Sequence, residues 1–440
     1  MSAPDARTDW SPWRSIVAFG MVSLLADMVY EGARSVSGPL LASLGSSALL
    51  VGLITGAGEA AALVLRLFFG AMADHTGGYW RLTLLGYGLT AVSVPLLAVT
   101  PFIGAAGLSV ACLLILSERT GKAIRSPSKS ALLAIAAQGV GRGRGFGVHK
   151  ALDQVGAFAG PLLVAAIVAA TSRIWPAMAA LAIPGIAAMA LLVVVRTQLP
   201  GPDRVEPRLP APRGSWLALN AGKGLPRSFF LFAAATGACT AGLVSYGLIG
   251  FHLVKDDVVS AAHVPIVYAL AMASAALAAL ATGVMYDRRG GRLLLVLPLM
   301  VAAVPALVFS SSLAAVVVGV VVWGLAVGLQ DSTVKALVAD LVPAPRLATA
   351  YGVFAAIQGA AAVAGGAAAG YLYPRSLPLL VAVVAVVQAS ALVMLLFGDR
   401  STTADASRSR TPGPDAAGDD DAVGDEAGQH PEQQTERDQI

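Results

Sequence analysis

Charge is scarce in this chain. Of 440 residues, 30 are Lys or Arg and 26 are Asp or Glu, 13% together, against 56% hydrophobic. A soluble protein with so few charges could not cover its surface with polar groups. Cysteine is almost absent, and Cys112 and Cys239 both fall in apolar stretches, where they read as small buried hydrophobes rather than a disulfide framework. The five histidines, at 75, 149, 252, 263 and 430, are scattered. No Ser-His-Asp set, Walker loop or Cys/His ligand cluster occurs, so no enzyme chemistry, cofactor or metal is expected. The basic residues do not interleave with aromatics, which argues against nucleic acid. The start, with Asp5, Arg7 and Asp9 before Trp10, lacks the compact apolar core and cleavage site of a signal peptide.

What the chain has is apolar length. The mean hydropathy is +0.73. Twelve stretches reach the span of about 20 apolar residues that a bilayer requires. They lie at 15–41, 48–72, 82–101, 104–124, 146–170, 175–195, 228–251, 264–285, 293–309, 313–333, 350–371 and 377–397. With a cytoplasmic N-terminus, the external loops hold only Arg173, Lys255 and Arg375. The remaining loop arginines, among them Arg81, Arg142, Arg196, Arg288 and Arg292, fall on the other side. That asymmetry sets orientation. It places both termini in the cytoplasm and the protein, as a multi-pass chain, in a bacterial inner membrane.

The expected organisation is a cytoplasmic N-terminus (1–13), a six-helix bundle (14–195), a Pro- and Arg-rich cytoplasmic linker (196–227), a second six-helix bundle (228–398) and an acidic tail (399–440). The tail has almost no large apolar side chains and is expected to be disordered. The two bundles are related. Gly70, Asp74, Gly77 and Gly78 spell G-x-x-x-D-x-x-G-G, and Gly283, Asp287, Gly290 and Gly291 spell it again 213 residues later. Each copy closes an apolar run and is followed by arginine (Arg81; Arg292). Two copies in matching contexts mark an internal repeat, the signature of a transporter scaffold. A second correspondence, at an offset of 205, sets GVHKALDQVGAFAG from Gly147 against GVFAAIQGAAAVAG from Gly352. It puts Gln358 where the first half has Asp153.

Three motifs make the chain resemble the major facilitator superfamily over residues 12–400. The loop GAMADHTGGYWR, Gly70 to Arg81, resembles the family's loop between helices two and three, with His75 in place of the usual arginine. Arg119 matches an arginine of the fourth helix. Gly156, Gly160 and Pro161 match the fifth helix's G-x-x-x-G-P, which in that family marks antiporters, chiefly drug exporters; its small residues and bend are expected to make a tight seam where the halves close outside. The segment ERTGKAIR, Glu118 to Arg125, resembles one bacterial branch, although Lys129 and Ser130 stand where that branch has Arg-Asp. The resemblance implies an all-α membrane protein with twelve transmembrane helices in two six-helix bundles around a central cavity. It implies gating roles for Gly70, Asp74, Gly77, Arg81, Gly156, Gly160, Pro161, Gly283, Asp287 and Arg292.

The sharpest residues are charges inside the spans. Asp27, Glu31 and Arg34 share one face of the first helix, as do Glu59 and Arg66 on the second. Arg119 and Asp153 lie in the fourth and fifth. A charge at the bilayer centre costs about 2.5–3.5 kcal/mol on the mildest scale, so these groups should face a cavity or one another. They are expected to carry proton coupling or substrate binding, or else to form a static salt-bridge network. The second half offers Tyr246, His252, Gln330, Asp331, Lys335 and Gln358, and its wall is expected to be small and apolar. The favoured expectation is proton-coupled export of a small amphipathic or hydrophobic compound by alternating access. A proton-coupled importer or facilitator of a polar or anionic solute is the alternative, and a non-transporting membrane sensor a second one. The expected partners are a small-molecule substrate, protons and the lipid bilayer, with the chain a monomer.

Overall fold

Ser11 begins the first helix as its N-cap, its hydroxyl accepting from the Arg14 amide, with Pro12 at the first helical position. That pairing of cap and preset proline is a strong helix start. The computed structural model describes residues 10–137, 140–199, 225–342 and 346–408. The side chains at a few helical positions, among them 283, 287 and 335, lie outside that description. Among the described residues there is no strand.

The helices are α1 (Pro12–Ser43), α2 (Ala48–Thr76), α3 (Tyr79–Leu96), α4 (Gly107–Ala136), α5 (Arg142–Thr171), α6 (Trp175–Ala180) and α7 (Ala182–Gln198), followed by α8 (Arg227–Gly242), α9 (Tyr246–Lys255), α10 (Val264–Arg289), α11 (Leu297–Val308), α12 (Leu313–Leu341), α13 (Leu347–Leu372) and α14 (Leu377–Arg408). All but the last part of α14 lie in a compact unit, Met1–Asp399; of the second unit, Arg400–Ile440, only the end of that helix is described. Most of the expected linker, the N-terminal stretch before residue 10 and the tail after residue 408 lie outside the described residues.

Among the described residues eleven segments have the length and apolarity to cross a membrane. Helix α4 is the twelfth expected span. It runs well past the expected end at 124 because Glu118, Arg119, Lys122, Arg125 and Lys129 stay helical, as does Pro127. The expected span 228–251 is broken: Leu243–Ser245 separate α8 from α9, and Ser245 caps α9 by accepting from the Leu248 amide. At the α2 terminus Gly77 adopts φ 65, a left-handed cap that suits glycine.

Within the first half α1 packs on α5 and α7, and α3 on α4. Within the second, α10 packs on α12, α12 on α11, and α8 on α13. The halves meet where α2 lies along α13 and α1 along α9. Glycines permit both contacts. A Cβ on Gly52 would lie 2.1 Å from Gly366 O, and one on Gly38 2.0 Å from Gly247 O. Small residues at such crossings let backbones approach where lipid gives no hydrophobic drive. Gly38, Ala48 and Gly370 mark the end of the unit that carries the turn joining α1 to α2; it is called the first-turn end below.

Candidate functional site

The residues expected from spacing converge around a tyrosine. Tyr30, on α1, is 2% exposed. Its hydroxyl accepts from Arg34 Nη1 at 3.2 Å and from Arg119 Nη1. Lys122 Nζ sits 3.7 Å from the centre of its ring, a cation–π contact. Both guanidiniums also meet Glu59. Arg34 Nη2 donates to Glu59 Oε1 at 2.8 Å, and Arg119 Nη1 lies 3.4 Å from the same oxygen. One carboxylate on α2 thus ties α1 to α4. Arg119 Nε is 3.7 Å from Glu118 Oε2. The side chain of Glu59 is 37% exposed, so it faces a space rather than packed protein.

That space is a narrow cavity, part of it continuous with solvent. Its ionisable wall consists of Arg34, Glu59, Glu118 and Arg119, with Tyr30 and Tyr246 beside them. It lies between the halves, because Ser245, Tyr246 and Gly247 from the α8–α9 break close it against α1 and α2. Two polar contacts cross the halves nearby. Tyr268 Oη on α10 donates to Glu31 Oε2, and Thr55 Oγ1 on α2 donates to Ser245 Oγ at 2.8 Å.

A second cluster lies further along α1. The Asp27 carboxyl hydrogen-bonds the carboxyl of Asp153 on α5. Lys150 Nζ donates to Asp153 Oδ2 at 2.7 Å. Ser23 Oγ, one turn before Asp27, accepts from Lys129 Nζ at 3.0 Å and contacts His149 Nε2 at 3.2 Å. Two carboxylates in contact repel, and a proton held between them turns the contact into a hydrogen bond.

Of the expected charges, Asp27, Glu31, Arg34, Glu59, Arg119 and Asp153 therefore fall into two clusters on α1. Asp27 and Glu59 do not face one another. Arg66 makes no described hydrogen bond or ion pair with either cluster, and its Nε is buried without a hydrogen-bond partner. The expected gating loop is partly seen. Asp74 Oδ1 accepts from Tyr79 Oη at 2.8 Å, Gly70 faces Pro127, and Arg81 is exposed. Arg292 is exposed and Gly291 faces Leu337, whereas the side-chain positions of Gly283 and Asp287 lie outside the described residues.

The G-x-x-x-G-P run needs a correction of place. A Cβ on Gly156 would lie 2.2 Å from Leu24 O, and one on Gly160 2.3 Å from Met28 O. Both glycines therefore press α5 onto α1 inside the first half, and Pro161 sits within the continuous α5. They do not form a seam where the halves close. The expected polar residues Gln330 and Gln358 of the second half do not line the cavity but join a hydrogen-bonded set of their own. Gln358 Nε2 donates to Thr236 Oγ1 at 2.9 Å, Thr240 Oγ1 donates to Gln358 Oε1, and Gln330 Nε2 donates to Thr240 Oγ1 at 2.8 Å. His252 belongs elsewhere, 2.8 Å from Asp256 and 2.9 Å from the Tyr373 hydroxyl near the first-turn end.

Sequence reasoning missed Tyr30, Tyr268, Lys122 and Glu118 as site residues. A signal for the last two was present. Glu118, Lys122, Arg125 and Lys129 are spaced four, three and four apart, one stripe of a helix.

Comparison with known proteins follows from this geometry. Residues 19–275 and 251–422 match the family model described as Major Facilitator Superfamily. An uncharacterised protein of Mycobacterium tuberculosis is 49% identical over 394 residues, covering 88% of this chain and 93% of that protein. An uncharacterised MFS-type transporter of Methanocaldococcus jannaschii is 24% identical, covering 82% of this chain and 89% of its own. Among solved structures the nucleoside transporter NupG superposes with a TM-score of 0.69 at 15% identity, covering 88% of this chain and 99% of that one.

Proposed function

The chain belongs to the major facilitator superfamily and is a multi-pass membrane transporter; on that premise we propose that it moves a small polar solute by alternating access, coupled to protons. The observation that carries this reading is the cavity between the halves, walled by Arg34, Glu59, Glu118 and Arg119 around Tyr30. Fixed charges in a low-dielectric wall favour a solute that brings matching charge or hydrogen bonds, and reject a plain hydrophobe. Export of a hydrophobic compound draws less support, since the glycine run that argued for it presses α5 onto α1 within the first half.

Coupling follows from the first helix. Asp27 and Asp153 would hold one proton between them, beside Lys129 and Lys150. Asp27 lies one helical turn from Tyr30 and Glu31, so a rocking motion that moves α1 against α5 alters the proton site and the cavity together. By the arginine asymmetry of the loops, the first-turn end is external. The contacts Glu31–Tyr268, Thr55–Ser245 and Gly38–Gly247 would then be those that seal the outside in this state.

The test is proteoliposomes of the full chain under an imposed pH gradient, with an internal pH dye. Pools of organic acids, nucleosides and amino acids are added in turn, with ethidium as the hydrophobic cation. Expected is proton movement driven by a polar pool and lost in Asp27→Asn. Ethidium-driven proton flux with every polar pool silent would refute the polar reading. Repeating the assay in inverted vesicles separates uptake from export.

A further inference from the structure

One residue of the cavity wall carries a buried atom without a partner. Glu118 is 5% exposed, and its Oε1 has no hydrogen-bond donor. Among the described residues it is the one lining residue with such an atom, which lies just behind the cavity surface in this state. The neighbouring cations do not reach it. Arg119 touches only the other oxygen, at 3.7 Å through Nε. Lys122 lies on the Tyr30 ring. Arg125 donates to Thr90 Oγ1 at 2.5 Å and covers the Tyr87 ring. A buried carboxylate oxygen left unpaired is costly, so a donor supplied by a bound solute would bring a gain no protein group now provides.

Beside it the excess is of the opposite kind. Arg34 and Arg119 present more N–H donors than the Tyr30, Glu31, Glu59 and Glu118 oxygens in their reach require. The wall is charge-balanced, with two guanidiniums and two carboxylates. A solute carrying net charge would upset that balance, whereas one carrying both signs would not. The two poles are adjacent, since Arg119 and Glu118 are ion-paired neighbours. We propose that the solute is a small zwitterion with an α-amino-acid-type head, its ammonium on Glu118 Oε1 and its acid group on Arg34 and Arg119. This rests on reading the cavity as the solute site. An ammonium N–H would complete the orphaned oxygen, and a carboxylate would use the spare guanidinium donors as a bidentate partner.

The test uses the full chain in nanodiscs and proteoliposomes. The probes are the twenty proteinogenic amino acids and alanyl-alanine, each with its deaminated acid and decarboxylated amine. Binding is read as thermal stabilisation, and transport as proton-coupled flux. At least one zwitterion is expected to bind, with both singly charged partners weaker by about 10-fold or more. Glu118→Gln should weaken that zwitterion by a similar factor and leave its deaminated acid unchanged, at normal membrane abundance. Glu118→Asp, which keeps the charge, should recover part of the loss. The proposal is overturned if deaminated acids bind as tightly as the zwitterions. It is equally overturned if Glu118→Gln abolishes the pH dependence of flux while binding stays intact, which would make Glu118 a proton site. Proton-coupled flux of organic acids or nucleosides with every zwitterion silent would overturn the zwitterion and keep the transporter. No solute-driven flux from abundant, folded protein would overturn both.

Discussion

Gly38→Ala tests whether the halves part at the first-turn end. In the present state a Cβ on Gly38 would lie 2.0 Å from Gly247 O and 2.7 Å from Phe251 N. Both are backbone atoms of α9, so no side chain can swing aside and the helices must separate. Overpacking of this kind costs about 1–3 kcal/mol. The cost falls on the state in which α1 and α9 touch and vanishes once they part. The intrinsic gain of alanine over glycine in a helix is common to both states and cancels. The balance should therefore move by about 5- to 150-fold toward the form open at this end. Spin labels on Ser43→Cys and Ser260→Cys, with Cys112 and Cys239 replaced by Ala, would report the separation by pulsed EPR. Gly88→Ala is the control, because its Cβ would meet only Met189 at 3.9 Å. A Gly38→Ala distance distribution matching the parent, from protein of normal abundance, would refute the reasoning. So would an equal shift in the control.

The remaining predictions concern the two clusters and the α1–α5 contact. Glu59→Gln leaves Arg34 and Arg119 facing each other without their shared carboxylate. It should cost about 1–3 kcal/mol, nearer the low figure because the carboxylate is partly solvated, and abolish coupled flux; an unchanged melting temperature and rate would contradict the assignment. Asp27→Asn removes one partner of the shared proton, so solute exchange should persist while the pH dependence of flux flattens; an unaltered pH profile would show that the proton resides elsewhere. Gly160→Leu drives a side chain into Met28 O within the first half and should deplete the protein from the membrane; abundant but uncoupled protein would restore the seam to the boundary between halves.

The spans were legible because bilayer thickness imposes a length that apolar runs must meet. Eleven of the twelve are met by helices of the expected position, and the twelfth, α4, by a helix that outruns its apolar part. The convergence of Arg34, Glu59 and Arg119 was legible for a related reason: no isolated charge is tolerated at mid-depth, so buried charges seek one another. Which charges meet was not. Asp27 and Glu59 stand at similar depth, yet one faces α5 and the other α4, because depth follows from counting residues and facing depends on how helices are rotated. Glycines set that rotation. Gly156 and Gly160 bring α5 against Leu24 and Met28, which turns Asp153 toward Asp27.

Tyr30 escaped notice because an aromatic in a span reads as packing, and its role appears only when guanidiniums from two helices are seen on one hydroxyl. Its position explains why the site is built on the first helix. Along α1, Asp27 meets Asp153 of α5, Tyr30 and Arg34 reach the cavity, and Glu31 reaches Tyr268 in the other half. These residues are three or four apart, so they share a face and move as one rigid element. A transporter must forbid the half-cycle in which proton and solute part company. On the proposed reading, a single helix bearing the proton site, the solute site and a contact across the halves would meet that requirement without a relay, because none of the three could be displaced while the others stay. The second half places Gln358 where Asp153 stands in the first, and there it bonds Thr236 and Thr240 of α8, a neutral contact within its own half where the first half has a carboxylate pair.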